Sequence, residues 1–262
     1  MPTIRNVMIK GINAFKSKLS DKRDITIDFV GDSITWGLNH CSAEETFVAF
    51  FARFFSEKYD NYKVIRYDGV VKTEALPIDH FDGPIAVGGK EGAPTATFIR
   101  NGVGGNTVRR AINRKQDFLG KMPNGDDPDL TFLMFGINDA LYSDKAKYVT
   151  AEQFEMNYDE LISLLLDNTP TQPIVISPTY NGIDHPLDDY AEVSRRIAAR
   201  YDLPFIDAHK LWSEHYSEGA PHFGQGGWLS ESKSDACHFS PEGAARTAEF
   251  LFDAFVRMLV EA

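Results

Sequence analysis

The stretch Ile25-Thr26-Ile27-Asp28-Phe29-Val30-Gly31-Asp32-Ser33-Ile34-Thr35 decides how this chain is read. Residues 25–30 form a short, mostly apolar run rich in β-branched and aromatic side chains, the pattern of a buried strand. Gly31-Asp32-Ser33 then reads as a turn at the strand's end, which can present a serine hydroxyl at the edge of an α/β sheet. Gly-Asp-Ser alone is a weak signal, because turns are rich in these residues. Its weight comes from three later elements: Gly105-Asn106-Thr107, Gly136-Ile137-Asn138-Asp139 and Asp235-Ala236-Cys237-His238.

Working outward, short apolar runs at 25–30, 63–67, 96–100, 130–135, 173–177 and 204–207 alternate with helical patterns at 43–58, 107–118, 151–167, 187–201 and 241–261. Such alternation predicts βαβ units and a parallel sheet covered on both faces. The stretch from Asp68 to Pro94 interrupts it and reads as an inserted hairpin or long loop, with β-like pieces at 69–73 and 84–87. A second irregular stretch, Trp212 to Asp235, leads into the Asp-x-x-His element. We find no internal repeat, so the 262 residues are expected to form one domain.

The net charge of −11 argues against a nucleic-acid partner and against docking on anionic lipid. The two cysteines, Cys41 and Cys237, make no disulfide framework and read as reduced thiols. Arg5, Lys10, Lys16, Lys18 and Lys22 break up any leader-like apolar stretch, and no run reaches membrane-spanning length; a cytoplasmic protein is the expectation. The histidines show no metal-ligand spacing, His209 and His215 being six apart, and Gly102-x-Gly104-Gly105 is a poor dinucleotide fingerprint.

A serine hydroxyl needs a base to become a nucleophile, and the base needs a group to orient it. His238 is the candidate base and Asp235, three residues earlier, the candidate orienter. Ser240-Pro241 is a strong helix start, so His238 sits just ahead of a C-terminal helix on a fixed support. Donors for an oxyanion are the backbone N–H groups of Ser33 and Gly105 and the side-chain amide of Asn138, each at or just past a predicted strand end. Asp32 and Asp139 read as structural, tying turns to backbone amides, and Asp207 as the N-cap of a short helix. Cys237 reads as a packing residue, and Phe50, Phe51, Phe54 and Phe55 as core. Trp36, Asn106, Trp228 and Phe239 are the candidate substrate-binding residues, with Asn39 and His40 as further wall candidates.

These four blocks, in this order from 31 to 238, resemble the SGNH, or GDSL-type, hydrolase family. The resemblance implies a three-layer α/β/α sandwich on a mostly parallel, five-stranded flavodoxin-like sheet. It implies Ser33, Asp235 and His238 as catalytic triad, with Ser33, Gly105 and Asn138 as oxyanion hole, and no metal or organic cofactor. The chain departs from the commoner pattern at Ile34-Thr35-Trp36-Gly37, a form shared with members resembling carbohydrate esterases, and at Asn106, where aspartate is frequent. The expected activity is hydrolysis of short carboxylic esters, foremost acetyl esters of sugars or oligosaccharides. A broad short-chain esterase, thioesterase or lysophospholipase is the alternative, and a non-catalytic carbohydrate-binding module is the reading from another class. The expected partner is a small ester substrate, and a homo-oligomer is compatible with the sequence.

Overall fold

The computed structural model describes residues 5–37, 41–72, 77–120, 122–179, 187–219, 221–223, 227–230 and 237–261. Seven strands, β1 Ile25–Gly31, β2 Lys63–Val70, β3 His80–Gly88, β4 Thr95–Gly102, β5 Leu130–Met134, β6 Gln172–Ile176 and β7 Phe205–Ile206, form one sheet in the order β3-β2-β4-β1-β5-β6-β7. All neighbours are parallel except β2 and β3. The helices are α1 Arg5–Ser20, α2 Ser33–Trp36, α3 Phe47–Lys58, α4 Val108–Asn113, α5 Ala151–Asn168, α6 Leu187–Arg200, α7 Ala208–Ser217 and α8 Pro241–Glu261.

The sheet thus has seven strands rather than five. The six apolar runs all form strands, and β3, from the irregular stretch 68–94, adds an antiparallel edge against β2. The central strands β1, β5 and β6 are buried along their whole length, as strands covered on both faces must be. Successive strand residues point to opposite faces. Phe29 and Phe132 stack face to face at 4.7 Å and meet Phe51 of α3, which in turn meets Phe252 and Phe255 of α8. Phe135 meets Tyr158 of α5, which lies with α6 on the other side. The two apolar layers therefore sandwich the sheet, the three-layer α/β/α arrangement.

β1 lies where the topology divides. The connections from β1 to β2 and β4 run to one side of it and those to β5, β6 and β7 to the other, so the loops leaving its C-terminal end diverge and open a crevice there. Among the described residues, no helix is long and apolar enough to cross a membrane. Nor does any group of three or more His, Cys, Asp or Glu side chains among them form a metal cage.

Candidate active site

Ser33 is held out by a one-turn helix, α2, that starts two residues after β1 ends. Asp32 is its N-cap, its carboxylate accepting from the Ile34 amide at 2.9 Å. Gly37, at φ +78°, closes the turn, its amide donating to the Ser33 carbonyl at 2.8 Å. The turn lies so close to the sheet that β4 must end in glycine. A Cβ on Gly102 would fall 2.2 Å from the Trp36 nitrogen and 2.8 Å from the Asp32 carbonyl oxygen.

The strand register brings the other blocks to the same level. Gly31 pairs with Gly102 on one side and Met134 on the other, so β1, β4 and β5 leave the sheet together. Ser33, Gly105 and Asn138 follow within two to four residues. Gly105 takes φ +68°, a left-handed conformation suited to glycine. Its amide donates to no carbonyl among the described residues. Asn138 is 7% exposed, and its Nδ2 is buried with no hydrogen-bond partner among them. A buried amide without a partner is a donor waiting for an acceptor.

His238 comes from the opposite end of the chain and is pinned on both sides. Ser230 N donates to the His238 carbonyl at 2.8 Å, Ser240 N donates to the Trp228 carbonyl at 2.9 Å, and Leu229 bridges Phe239. Ser240 Oγ caps α8, accepting from the Gly243 amide at 3.1 Å, with Pro241 as the first helical residue. So mounted, His238 places Nε2 2.7 Å from Ser33 Oγ. Cys237 Sγ lies 3.7 Å from its Nδ1. Asp235 lies outside the described residues, as do Asn39 and His40.

Two buried carboxyls support the site. Burial pushes Asp32 up to about 6, opposed by the Ile34 amide, by the charge of His238 and by the nearby Asn138 amide, which makes no hydrogen bond of good geometry to it. Burial pushes Asp139 up to about 8, opposed by its bond from the Val108 amide at 3.2 Å. That bond ties the strand-end segment carrying Asn138 to the start of α4, just after the Gly105 turn. Burial also pushes the Cys41 thiol up to about 11, which keeps it a thiol rather than a thiolate.

Of the candidate substrate-binding residues, Trp36 is half-buried at the end of α2, and Phe239 lines a small cleft beside Ser33 and His238. The other two are buried. Asn106 is fully buried, and its amide donates back to the Gly31 carbonyl at 3.4 Å, which braces the turn. Trp228 is spent in packing: it stacks on His215 at 3.5 Å and meets Trp212 edge-on at 5.3 Å. Phe239 also stacks on Trp212, at 4.6 Å. The cleft's remaining wall is Ile34, Gly37, Cys41, Thr46, Phe47 and Ala244. Thr46, Phe47 and Ala244 carried no local sequence signal, since α3 with its N-cap and α8 bring them in from outside the motif blocks.

The sequence pattern of the GDSL-like lipase/acylhydrolase family matches residues 86–246, which include Gly105, Asn138 and His238. Ser33 precedes the matched segment and joins it through its contact with His238. No curated protein sequence matches the chain. Among solved structures, it is similar to a peptidoglycan O-acetylesterase, with a TM-score of 0.68 at 15% identity over 96% of both chains. It is also similar to the acetyl xylan esterase AlAXEase, with a TM-score of 0.60 at 19% identity over 88% of this chain and 99% of that one. An acetyl xylan esterase from Geobacillus stearothermophilus gives a TM-score of 0.59 at 19% identity, over 91% of this chain and 96% of that one. At these identities the neighbours establish the fold, while the matched pattern, spanning more than half of the chain, establishes the family: this protein belongs to the GDSL-like lipase/acylhydrolases and is a carboxylic ester hydrolase.

Proposed function

We propose that this chain is an O-acetyl esterase acting on acetylated sugars or oligosaccharides through an acyl-enzyme on Ser33. The observation that carries the reading is the 2.7 Å contact between Ser33 Oγ and His238 Nε2. It is a distance at which a hydroxyl proton can pass to imidazole as the oxygen attacks. In the first step Ser33 Oγ bonds to the acetyl carbon and its proton moves to His238 Nε2. The carbonyl oxygen becomes an oxyanion, met by the Ser33 and Gly105 amides and by Asn138 Nδ2. Collapse breaks the bond to the sugar oxygen, which takes the proton from His238 and departs as an alcohol. Water then attacks the acetyl-enzyme and gives its proton to His238. That proton returns to Ser33 Oγ as acetate leaves. Asp235 is assigned the remaining role, accepting from the Nδ1–H and so fixing the tautomer that leaves Nε2 basic.

The acetyl preference is supported by the small cleft beside the pair, closed by Phe47, Phe239 and Ala244. It is supported as well by fold neighbours described as acetyl xylan and peptidoglycan O-acetyl esterases. Aromatic surface for a sugar ring is available at this sheet edge in the half-buried Trp36 and in Tyr142, which is 51% exposed four residues after Asn138.

The test is acetate release by wild type and Ser33→Ala from acetylated xylo-oligosaccharides, with an aryl acetate as control. Wild-type deacetylation of the sugars, abolished in the variant, is the expected result. Cleavage of the aryl ester alone, by wild type only, would keep the chemistry and discard the sugar in favour of a broad short-chain esterase. Inertness toward both would bring forward the non-catalytic binding module.

A further inference from the structure

α2 is a single helical turn, too short to hold its own shape. What fixes it therefore fixes Ser33. At its N-terminal end the fixture is the Asp32 cap. At its C-terminal end an Nη1–H of Arg100, a residue of β4, donates to the carbonyl of Trp36, the last residue of the turn. A guanidinium there both satisfies a helix-end carbonyl and complements the negative end of the turn.

Arg100 is itself set in a buried ladder of charges. Its Nε donates to Asp68 Oδ1 at 3.0 Å. Asp68 is gripped a second time by Arg66, Nε to Oδ1 at 2.8 Å and Nη2 to Oδ2 at 3.1 Å. Arg66 then reaches Glu44, Nη2 to Oε1 at 2.9 Å and Nη1 to Oε2 at 3.4 Å. Arg66, Asp68 and Arg100 are all at most 7% exposed, whereas the Glu44 side chain is 63% exposed. Burial opposes the ionisation of Asp68, but its bonds from Arg100 and Arg66 outweigh this and hold its carboxyl below the usual range. The ladder thus grips the chain twice after the serine, at Trp36 and at Glu44. Gly37 and Cys41, which line the cleft, lie between the two grips.

We infer that Arg100 is a positioning residue for the nucleophile: through the Trp36 carbonyl it fixes the turn that aims Ser33 at His238. This rests on the reading of Ser33 as nucleophile and adds a group, on a different strand, that acts through it. Nothing in this role touches substrate, so it acts on the reactivity of Ser33 and leaves ground-state binding alone.

The experiment compares wild type, Arg100→Met, which keeps the stem and removes every donor, and Arg100→Lys, which keeps the charge but not the fork. Three readouts are taken: kcat and KM on an aryl acetate, the second-order rate at which a fluorophosphonate labels Ser33, and Tm. Arg100→Met is expected to lower both kcat and the labelling rate by about 10- to 100-fold, as a nucleophile displaced by about an ångström should. KM is expected to stay within about two-fold, and Arg100→Lys to recover part of the loss. Labelling of folded Arg100→Met at the wild-type rate would overturn the inference. If Arg100→Met does not fold, Arg100→Lys decides: slower labelling at a Tm near wild type supports the role, and an unchanged rate overturns it. A wild type that resists the probe altogether would remove the nucleophile assignment and this inference together, whereas a labelled wild type beside an equally labelled variant removes only the inference.

Discussion

Ser33 Oγ lies 2.7 Å from His238 Nε2, although 205 residues separate them along the chain. Neither side chain sits on a free loop. Ser33 rides on a turn capped by Asp32, and His238 is held between the Leu229–Phe239 bridge and the capped start of α8. Pre-organisation of this kind predicts that removing the hydroxyl removes chemistry and spares the fold. Ser33→Ala should lower acetate release by on the order of 10⁴-fold or more. The Tm should move by less than about 3 °C, since the change removes one small polar atom and no packing. Parallel measurement of acetate release and thermal unfolding checks both, and residual turnover near wild type would remove Ser33 from the mechanism.

Asn138 carries the opposite balance of stability and activity. Its Nδ2 is buried with no hydrogen-bond partner among the described residues, which costs stability in the resting protein. If the amide is kept for an oxyanion, Asn138→Ala should lower kcat by about 10²- to 10³-fold with little change in KM. The same variant should be as stable as wild type or more so, because it relieves an unsatisfied buried group. Steady-state kinetics beside a melting curve separates this from a bracing role, in which activity and Tm would fall together.

What could be read in the sequence follows from how local each signal is. Ser33, Asn138 and His238 each sit in a turn fixed by its own neighbours: an Asp cap, a glycine at positive φ, a Ser-Pro helix start. α1 carries a fainter signal, with Ile12, Phe15 and Leu19 on one face between lysines. The expected helix at 43–58 is interrupted at Thr46, which ends a 3₁₀ turn and caps α3, its Oγ1 accepting from the Ala49 amide at 3.2 Å. β3 is an exposed edge strand with charged and proline residues, so it lacks the apolar run that marked the others. The Arg66–Asp68–Arg100 ladder could not be read at all, because it exists only through the register that sets Asp68 of β2 opposite Arg100 of β4. The burial of Asn106 and Trp228 was equally illegible, since a polar turn residue and a loop tryptophan look the same in sequence whether they face in or out.

Gly102 tests how closely the nucleophile turn must lie to the sheet. The three atoms nearest a Cβ built there all belong to the backbone of residues 32–36, so a methyl group meets backbone rather than a flexible side chain. Gly102→Ala should therefore shift the turn bodily. A displacement of about an ångström at Ser33 predicts a loss of roughly 10²-fold in kcat. Fluorophosphonate labelling of the variant should slow in proportion, and labelling at the wild-type rate would mean that the turn tolerates the methyl group.

Tyr142 bears on the choice of substrate. Its ring meets that of Tyr148 at a tilt, centroids 4.6 Å apart, within a loop that opens after Asn138 and closes where the Val149 amide donates to the Asp139 carbonyl at 2.9 Å. An exposed aromatic ring on a closed loop is a surface on which a sugar face can rest. Tyr142→Ala should raise KM for an acetylated oligosaccharide by about 5- to 10-fold, the loss of roughly 1 kcal/mol of stacking. KM for an aryl acetate, which has no sugar to stack, should not change. Equal effects on the two substrates would place the ring outside the sugar site.

Asp28, in the middle of β1, sets a pH dependence of stability. It is fully buried, and desolvation pushes its carboxyl up to about 8, opposed by the Asn101 amide and the charge of Arg114. A carboxyl raised on folding binds its proton more tightly in the native state than in the unfolded chain, where it titrates near 3.8. Its contribution is therefore present below that value and is lost as pH rises through the folded pKa. Asp139, pushed up to about 8, and Asp32, pushed up to about 6, act with the same sign. Wild-type stability should fall between about pH 4 and about pH 8 on their account. Asp28→Asn keeps an acceptor for the Asn101 amide, which lies 3.4 Å from Asp28 Oδ2, and removes the titration. Melting curves at about pH 5 and about pH 9 should show a smaller drop in Tm for the variant than for wild type. An identical drop in both proteins would mean that Asp28 is ionised throughout the range, its charge held by Arg114.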